Sequence, residues 1–193
     1  MTPEEIKQQR QINFKQTNAF AMQNGIILGI YGILTFAIFI AGLSSPLLST
    51  FNMVLTLNFP VFAIFLTARF RRTVAPNFRF SFARGFTHTL LCVLYAGIWV
   101  SIATFVYFQF IDNGHMTDIF QQRINSPEFV ELMKQTNYDS IIKQSSNGAS
   151  LQEIIEMLRN TSAASYAGLT MYIFILSAPL ISILGGLFNI RRR

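Results

Sequence analysis

The sequence predicts an all-α membrane protein with four transmembrane helices, both termini in the cytoplasm, and a helical extracytoplasmic insertion between spans three and four. Composition is the first observation behind this prediction: 51% of the 193 residues are hydrophobic and only 12% are charged, whereas soluble domains carry about 25% charged residues. The second observation is that the charged residues are bunched. They leave three long stretches without Asp, Glu, Lys or Arg.

The uncharged stretches cover residues 16–68, 85–111 and 160–190. A transmembrane helix needs about 20 apolar residues, so the first stretch is long enough for two helices. Its middle reads Leu43-Ser44-Ser45-Pro46, which is typical of a turn. The predicted spans are therefore a hairpin of spans one and two over 23–68, span three over 85–111 and span four over 166–190.

The distribution of Lys and Arg predicts the orientation of the spans. The segment before span one, the link between spans two and three, and the C-terminal tail together hold eleven basic and two acidic residues. Residues 112–159 hold four basic and seven acidic residues. Basic residues near span ends stay on the cytoplasmic side, and an even number of spans returns both termini to that side. Charge and span count thus lead to the same topology.

The cytoplasmic segments are a leader over 1–22, a link over 69–84 and a tail over 191–193. Thr2 and Glu5 flank a proline in the pattern of a capping box, which predicts a leader helix. In the basic link, phenylalanines recur every fourth residue at Phe78, Phe82 and Phe86. This spacing predicts a short in-plane helix with its rings among the acyl chains and its arginines at the headgroups.

The extracytoplasmic segment, residues 112–165, contains the patterns of two amphipathic helices. The first begins at Ser126-Pro127 and the second at Ser150, which forms a capping box with Glu153. We expect their apolar faces to pack on each other, on the membrane surface or on a partner. The predicted partner-facing residues are Phe129, Leu132, Met133, Leu151, Ile154, Ile155 and Leu158.

The order of these features resembles a known family. The resemblance is carried by Phe82-Ala83-Arg84-Gly85-Phe86 at the start of span three and by Tyr107-Phe108-Gln109-Phe110-Ile111-Asp112 at its end. These stretches, with the hairpin, the external helices and the basic C-terminus, are similar to the four-helix bacterial membrane family catalogued as domain of unknown function 4199. The resemblance covers nearly the whole chain. It implies a location in the bacterial inner membrane and little about activity.

The most suggestive polar side chains lie at the start of span three, where Arg84, His88 and Cys92 are four residues apart and share a helical face. They could bind a lipid phosphate, with Arg84 as a bidentate donor and His88 as a hydrogen-bond partner or proton carrier. Alternatively, Arg84 is an interfacial anchor and His88 bonds to a neighbouring helix. The residues predicted to bind a lipid headgroup or partner are Arg69, Arg71, Arg72, Arg79, Arg84 and His88.

Prolines and glycines in spans two and four allow two interpretations. Broken helices of a transporter site could be marked by Asn58 and Pro60 in span two and by Pro179 with Gly185-Gly186 in span four. Alternatively, these residues lie in kinked helices that pack closely. Spans one, two and four contain no Asp, Glu, Lys, Arg or His, which argues against ion-coupled transport.

Three functions remain open. We favour a non-catalytic integral inner-membrane accessory or scaffold protein, a subunit of a membrane complex. The alternatives are a lipid-handling enzyme or carrier that acts at the cytoplasmic leaflet through Arg84 and His88, and a small transporter or channel. The expected partners are anionic lipids of the inner leaflet and either another protein or further copies of this chain. We expect no catalytic residues, metal or cofactor, because nucleotide-binding loops, nucleophile elbows and metal-ligand spacings are missing. We also expect no nucleic acid, because membrane orientation accounts for the basic pI of about 9.8.

Overall fold

The computed structural model describes residues 2–76, 79–136, 144 and 148–191, except for the side chains of Ile6 and Lys134. Within these residues the fold is all-α, and four of its helices are long and apolar enough to cross a membrane. The helices are α1 (Pro3–Gly42), α2 (Pro46–Val74), α3 (Phe82–Phe110), α4 (His115–Ile124), α5 (Pro127–Thr136), α6 (Leu151–Arg159) and α7 (Ala163–Asn189). The prediction of four spanning helices is confirmed for α1, α2, α3 and α7.

The predicted leader helix and span one form a single helix of 40 residues. The predicted capping box is present: the Thr2 amide donates to the Glu5 carboxylate at 2.7 Å, and the Glu5 amide donates to Thr2 Oγ1 at 3.3 Å. At about 1.5 Å per residue α1 is roughly 60 Å long, about twice the thickness of the hydrocarbon core. Its N-terminal part therefore projects beyond the other spanning helices.

The turn between α1 and α2 lies where the sequence predicts it. The Leu43 amide donates to Ile40 O at 3.1 Å, and the Ser45 amide donates to Gly42 O at 3.3 Å. Pro46 then opens α2. A Cβ on Gly42 would lie 2.9 Å from the Ser49 amide nitrogen, so the tight return requires glycine at this position.

The link between α2 and α3 differs from its prediction. Helix α2 continues to Val74, α3 begins at Phe82, and the described residues between them contain no helix. Phe82 and Phe86 lie on the first turns of α3 and not on a separate in-plane helix, because Ser81 caps α3 by accepting the Arg84 amide at 3.3 Å. Phe78 lies outside the described residues.

Helix α3 is the centre of the bundle and packs on α1 and α7. Glycines permit the close approach: a Cβ on Gly97 would lie 2.7 Å from Phe174 Cβ of α7, and one on Gly25 would lie 2.5 Å from Tyr95 Cβ. Helix α2 is peripheral, since 17% of the residues in its 18-residue apolar stretch are buried, compared with 39% in the corresponding stretch of α3. The apolar core consists of Ala21, Leu28, Ala63, Leu66, Cys92, Val93, Ala96, Ala178 and Ile181.

Large apolar side chains cover the outside of the four long helices. Leu57 of α2 is 65% exposed and Leu180 of α7 is 68% exposed, and many others are exposed on all four helices. A continuous apolar surface of this size is stable in hydrocarbon and not in water. The protein is therefore a multi-pass membrane protein.

In the described residues between α3 and α7 there is one helix, α4, that the sequence does not predict. Asp112, which is 7% exposed, holds the start of α4 by accepting the amides of Gly114 and Met116, each at 3.1 Å. Near the end of α4, the Arg123 guanidinium donates to Leu43 O in the α1–α2 turn. The insertion therefore lies against the end of the bundle that carries this turn.

Helices α5 and α6 begin where predicted. Ser126 Oγ accepts the Phe129 amide at 3.3 Å, and Ser150 with Glu153 forms the predicted capping box. Helix α6 packs on α4, the additional helix, and an exposed ion pair of 2.8 Å joins Arg159 to Asp118 across them.

Candidate functional site: a buried polar network at the arginine-rich end

The end of the bundle opposite the α1–α2 turn carries most of the arginines and a buried polar network. We call it the arginine-rich end and define it by the C-terminal parts of α2 and α7, the start of α3 and the link between α2 and α3. Among the described residues, its arginines are Arg69, Arg71, Arg72, Arg79, Arg84 and Arg191.

His88 is the centre of the network and is 0% exposed. Its Nε2 lies 3.1 Å from Asn24 Nδ2 of α1, and its Nδ1 lies 2.9 Å from Thr67 Oγ1 of α2. Since the Asn24 amide nitrogen can only donate, Nε2 accepts and the ring proton lies on Nδ1, where it is donated to Thr67. The imidazole is neutral, and both nitrogens are occupied.

Two threonines extend the network across the bundle. Thr67 Oγ1 lies 2.8 Å from Thr89 Oγ1 of α3, and both hydroxyls are also within hydrogen-bond distance of carbonyls in their own helices. Both threonines are fully buried. Every side chain in the network has a hydrogen-bond partner, and these bonds offset the cost of removing the polar groups from water. The network therefore holds α1, α2 and α3 in one register.

Arg84 is half-buried above this network. Its guanidinium carbon lies 5.5 Å from the centre of the Phe70 ring and 5.9 Å from that of Phe80, and its Nη2 donates to Gln16 Oε1 at 2.5 Å. Cation–π attraction and one hydrogen bond therefore hold the head group. Its Nε is buried and has no hydrogen-bond partner within the described part of the chain.

The remaining arginines surround Arg84. Arg69, Arg72 and Arg79 are exposed, whereas Arg71 Nη1 lies 3.5 Å from Asn189 O and is half-buried. Arg191 donates to Pro76 O and pairs its backbone with Phe80. Across residues 2–76, 79–136 and 148–191, none of these six arginines forms an ion pair with a carboxylate. The end therefore presents unneutralised positive charge.

Cys92 does not join His88 in a common site. Its side chain is 0% exposed and belongs to the apolar core. The three residues of the predicted helical face therefore have different surroundings. Arg84 is half-buried, His88 is buried in the polar network, and Cys92 is buried in the apolar core. His88 is fully buried and bonds to neighbouring helices, which favours the second of the two interpretations of this residue.

The partner-facing residues predicted in the insertion have unequal exposure. Ile155 is 5% exposed, whereas Leu132 is 49% exposed. The other five are half-buried: Phe129, Met133, Leu151, Ile154 and Leu158. Leu132 on α5 is thus the most accessible apolar side chain of the predicted face.

A family model described as "Protein of unknown function (DUF4199)" matches residues 23–189. The chain belongs to the DUF4199 family. The resemblance predicted from the sequence is thereby confirmed, and the match includes the four spanning helices except for the N-terminal part of α1. No curated protein and no solved structure matches the chain. Asn24, Thr67, His88 and Thr89 all lie within the part of the chain that matches DUF4199.

Asn24, Thr67 and Thr89 were not predicted as partners of His88. A signal for Asn24 is present, because an amide side chain within an apolar span usually faces the bundle. The pairing itself joins residues 64 positions apart, and a single sequence carries no information about such a contact.

Proposed function

We propose that this DUF4199 protein is a non-catalytic subunit of a bacterial inner-membrane complex, with both termini in the cytoplasm. Its arginine-rich end binds the anionic headgroups of the inner leaflet. Its insertion presents Leu132 and the neighbouring apolar residues of α5 to an extracytoplasmic or membrane partner.

The observation that carries this proposal is the contrast between the two kinds of polar group at the arginine-rich end. The buried imidazole of His88 has both nitrogens occupied by protein groups, which favours a structural role over proton transfer. The exposed guanidiniums of Arg69, Arg72 and Arg79 have no carboxylate partner among the described residues. Each basic residue near an anionic leaflet contributes about 1 kcal/mol of attraction.

Lipid binding is tested with nanodiscs cut directly from membranes. We expect phosphatidylglycerol to be enriched around the wild-type protein relative to the bulk membrane, and the variant with Arg69→Gln, Arg72→Gln and Arg79→Gln to lose this enrichment. The control is Arg159→Gln, which removes an exposed arginine from the insertion. Equal enrichment in the triple variant and the wild type would contradict the headgroup role.

Partner binding is tested by photocrosslinking in cells. A photoreactive phenylalanine at Leu132, which is 49% exposed, is expected to give one crosslinked product of defined mass. The same residue at Leu57, which is 65% exposed on α2, is the control and is expected to crosslink to lipid only. A product at Leu57 and none at Leu132 would overturn the assignment of the partner surface to the insertion.

A further inference from the structure

A cavity of about 430 Å³ lies among the four spanning helices, in the half of the bundle nearer the α1–α2 turn. It is separate from the arginine-rich end. Residues 32–39 of α1, 52–60 of α2 and 170–181 of α7 contribute its walls, and Val100 of α3 contributes to its floor. The volume lies within the range of about 300–1,000 Å³ that is typical of ligand pockets.

The cavity exists because α2 separates from α7 along half of its length, while hydrogen bonds from Tyr31 to Leu55 O and from Asn52 to Thr35 O, at 2.8 and 2.7 Å, hold the same half of α2 to α1. The buried residues of α2 are Ala63, Leu66, Thr67 and Phe70, all in its C-terminal half. Before Ala63, the ring of Phe59 still touches Phe174 of α7, with centroids 5.5 Å apart. Beyond this contact, toward the turn, no residue of α2 is buried, and the space between α2 and α7 stays open.

The walls of the cavity are uncharged and largely apolar. None of the lining residues is Asp, Glu, Lys, Arg or His. Three of the lining hydroxyls, those of Thr35, Thr170 and Ser177, donate to carbonyls of their own helices at 2.9, 3.0 and 3.3 Å. With no charged side chain in the walls, a charged ligand would lose its hydration without compensation.

The cavity opens sideways, toward the surface that faces hydrocarbon. Two of its lining residues, Ile173 and Phe39, are 56% and 40% exposed on that surface. Within it, Pro60 has no N–H to donate, so the carbonyl of Thr56 lacks its donor from the helix. A ligand that enters from the bilayer meets a slot that is largely apolar.

We propose that this cavity binds one acyl chain of a membrane phospholipid, which enters between α2 and α7. An apolar cavity of this kind does not hold water, and its opening lies on the apolar surface, where acyl chains are the surrounding solvent. A lipid bound at a specific site stays with the protein during purification, whereas the lipids that merely surround the protein in the bilayer are lost. The proposal does not depend on the headgroup role of the arginines.

The test measures phospholipid retained by the full-length protein after purification in mild detergent, by native mass spectrometry. We expect one phospholipid per chain. Thr56→Phe on α2 and Ser177→Phe on α7 fill the cavity from opposite sides, and each is expected to lose most of the bound lipid. The matched controls Leu57→Phe and Leu176→Phe change exposed neighbours on the same two helices and are expected to keep it.

A second measurement identifies the position of the chain. A phosphatidylethanolamine with a diazirine near the end of its acyl chain is exchanged into the detergent-purified protein, and crosslinked peptides are mapped. We expect labelling at residues 52–60 and 170–181 that unlabelled phosphatidylethanolamine competes away, and that is lost in the filled variants. The proposal would be overturned by any of three results. These are a wild type that retains no phospholipid, equal retention in the filled and control variants, and labelling that does not depend on the cavity.

Discussion

The imidazole of His88 stacks on the ring of Phe70, with the ring centres 4.3 Å apart and the planes 8° from parallel. The stack fixes the imidazole plane, so that its two nitrogens point at Asn24 and Thr67. The Arg84 guanidinium lies over the same Phe70 ring. Phe70 therefore connects the buried network to the half-exposed cation at the arginine-rich end, although it is itself apolar.

The first prediction concerns the Thr67 hydroxyl. Thr67→Val keeps the shape of the side chain but leaves the Nδ1 proton of His88 buried without an acceptor, which costs about 1–3 kcal/mol. The free energy of unfolding in detergent micelles should fall by this amount. Thr73→Val is the control, because Thr73 is exposed at the end of the same helix. Equal stability of the two variants would show that the network does not stabilise the fold.

The second prediction concerns the contact between Asn24 and His88. Asn24→Leu and His88→Leu each leave the other residue buried without its partner, whereas the double variant removes both polar groups. We expect the double variant to be more stable than the sum of the two single effects implies, with a coupling energy of about 0.5–3 kcal/mol. A full double-mutant cycle of unfolding free energies measures it. Strict additivity would contradict the contact.

The third prediction concerns the packing of α3 on α7. Gly97→Ala places a Cβ 2.7 Å from Phe174 Cβ, and such overpacking costs about 1–3 kcal/mol. The matched control is Gly168→Ala on α7, where no atom lies within 4 Å of the added Cβ. Thermal unfolding should show a lower midpoint for Gly97→Ala alone. A lower midpoint for Gly168→Ala alone would contradict the close contact between Gly97 of α3 and Phe174 of α7.

The fourth prediction concerns the start of α4. Asp112→Ala removes the acceptor of two amide hydrogen bonds, and loss of such a cap costs about 0.5–2 kcal/mol. Amide hydrogen exchange should accelerate at Gly114 and Met116. Asp118→Ala, in the first turn of the same helix, removes an exposed ion pair with Arg159, which is worth about 0–1 kcal/mol, and no hydrogen bond to the Gly114 or Met116 amide. Exchange at these two amides should therefore change little. Faster exchange at Gly114 and Met116 in Asp118→Ala than in Asp112→Ala would contradict this view.

Spans and helix starts could be predicted because their causes are local. Runs of apolar residues determine the four long helices, and capping residues such as Thr2 and Ser150 mark where helices begin. Helix α4 was missed because it is short and its start depends on a turn in which Asn113 and Gly114 both have positive φ, at 45° and 85°. The described part of the link contains no in-plane helix, and phenylalanines at a spacing of four residues fit the first turns of α3 equally well.

The candidate site was predictable only in part. Arginines at the ends of apolar stretches are visible in the sequence, and so is the face shared by Arg84 and His88. The partners of His88 come from two other helices, and the cavity arises from the separation of α2 from α7. Both depend on packing between segments that are distant in the chain, which hydropathy and spacing do not encode.

The central claim is that the arginine-rich end faces the cytoplasm and the insertion faces the opposite side. Cys92 is the one cysteine of the sequence, so Cys92→Ala provides a background for single cysteines at the exposed positions Arg79 and Glu131. We predict that a membrane-impermeant maleimide added to intact spheroplasts labels the cysteine at 131 at once, and labels that at 79 only after permeabilisation. Labelling of 79 and protection of 131 in intact spheroplasts would contradict the account.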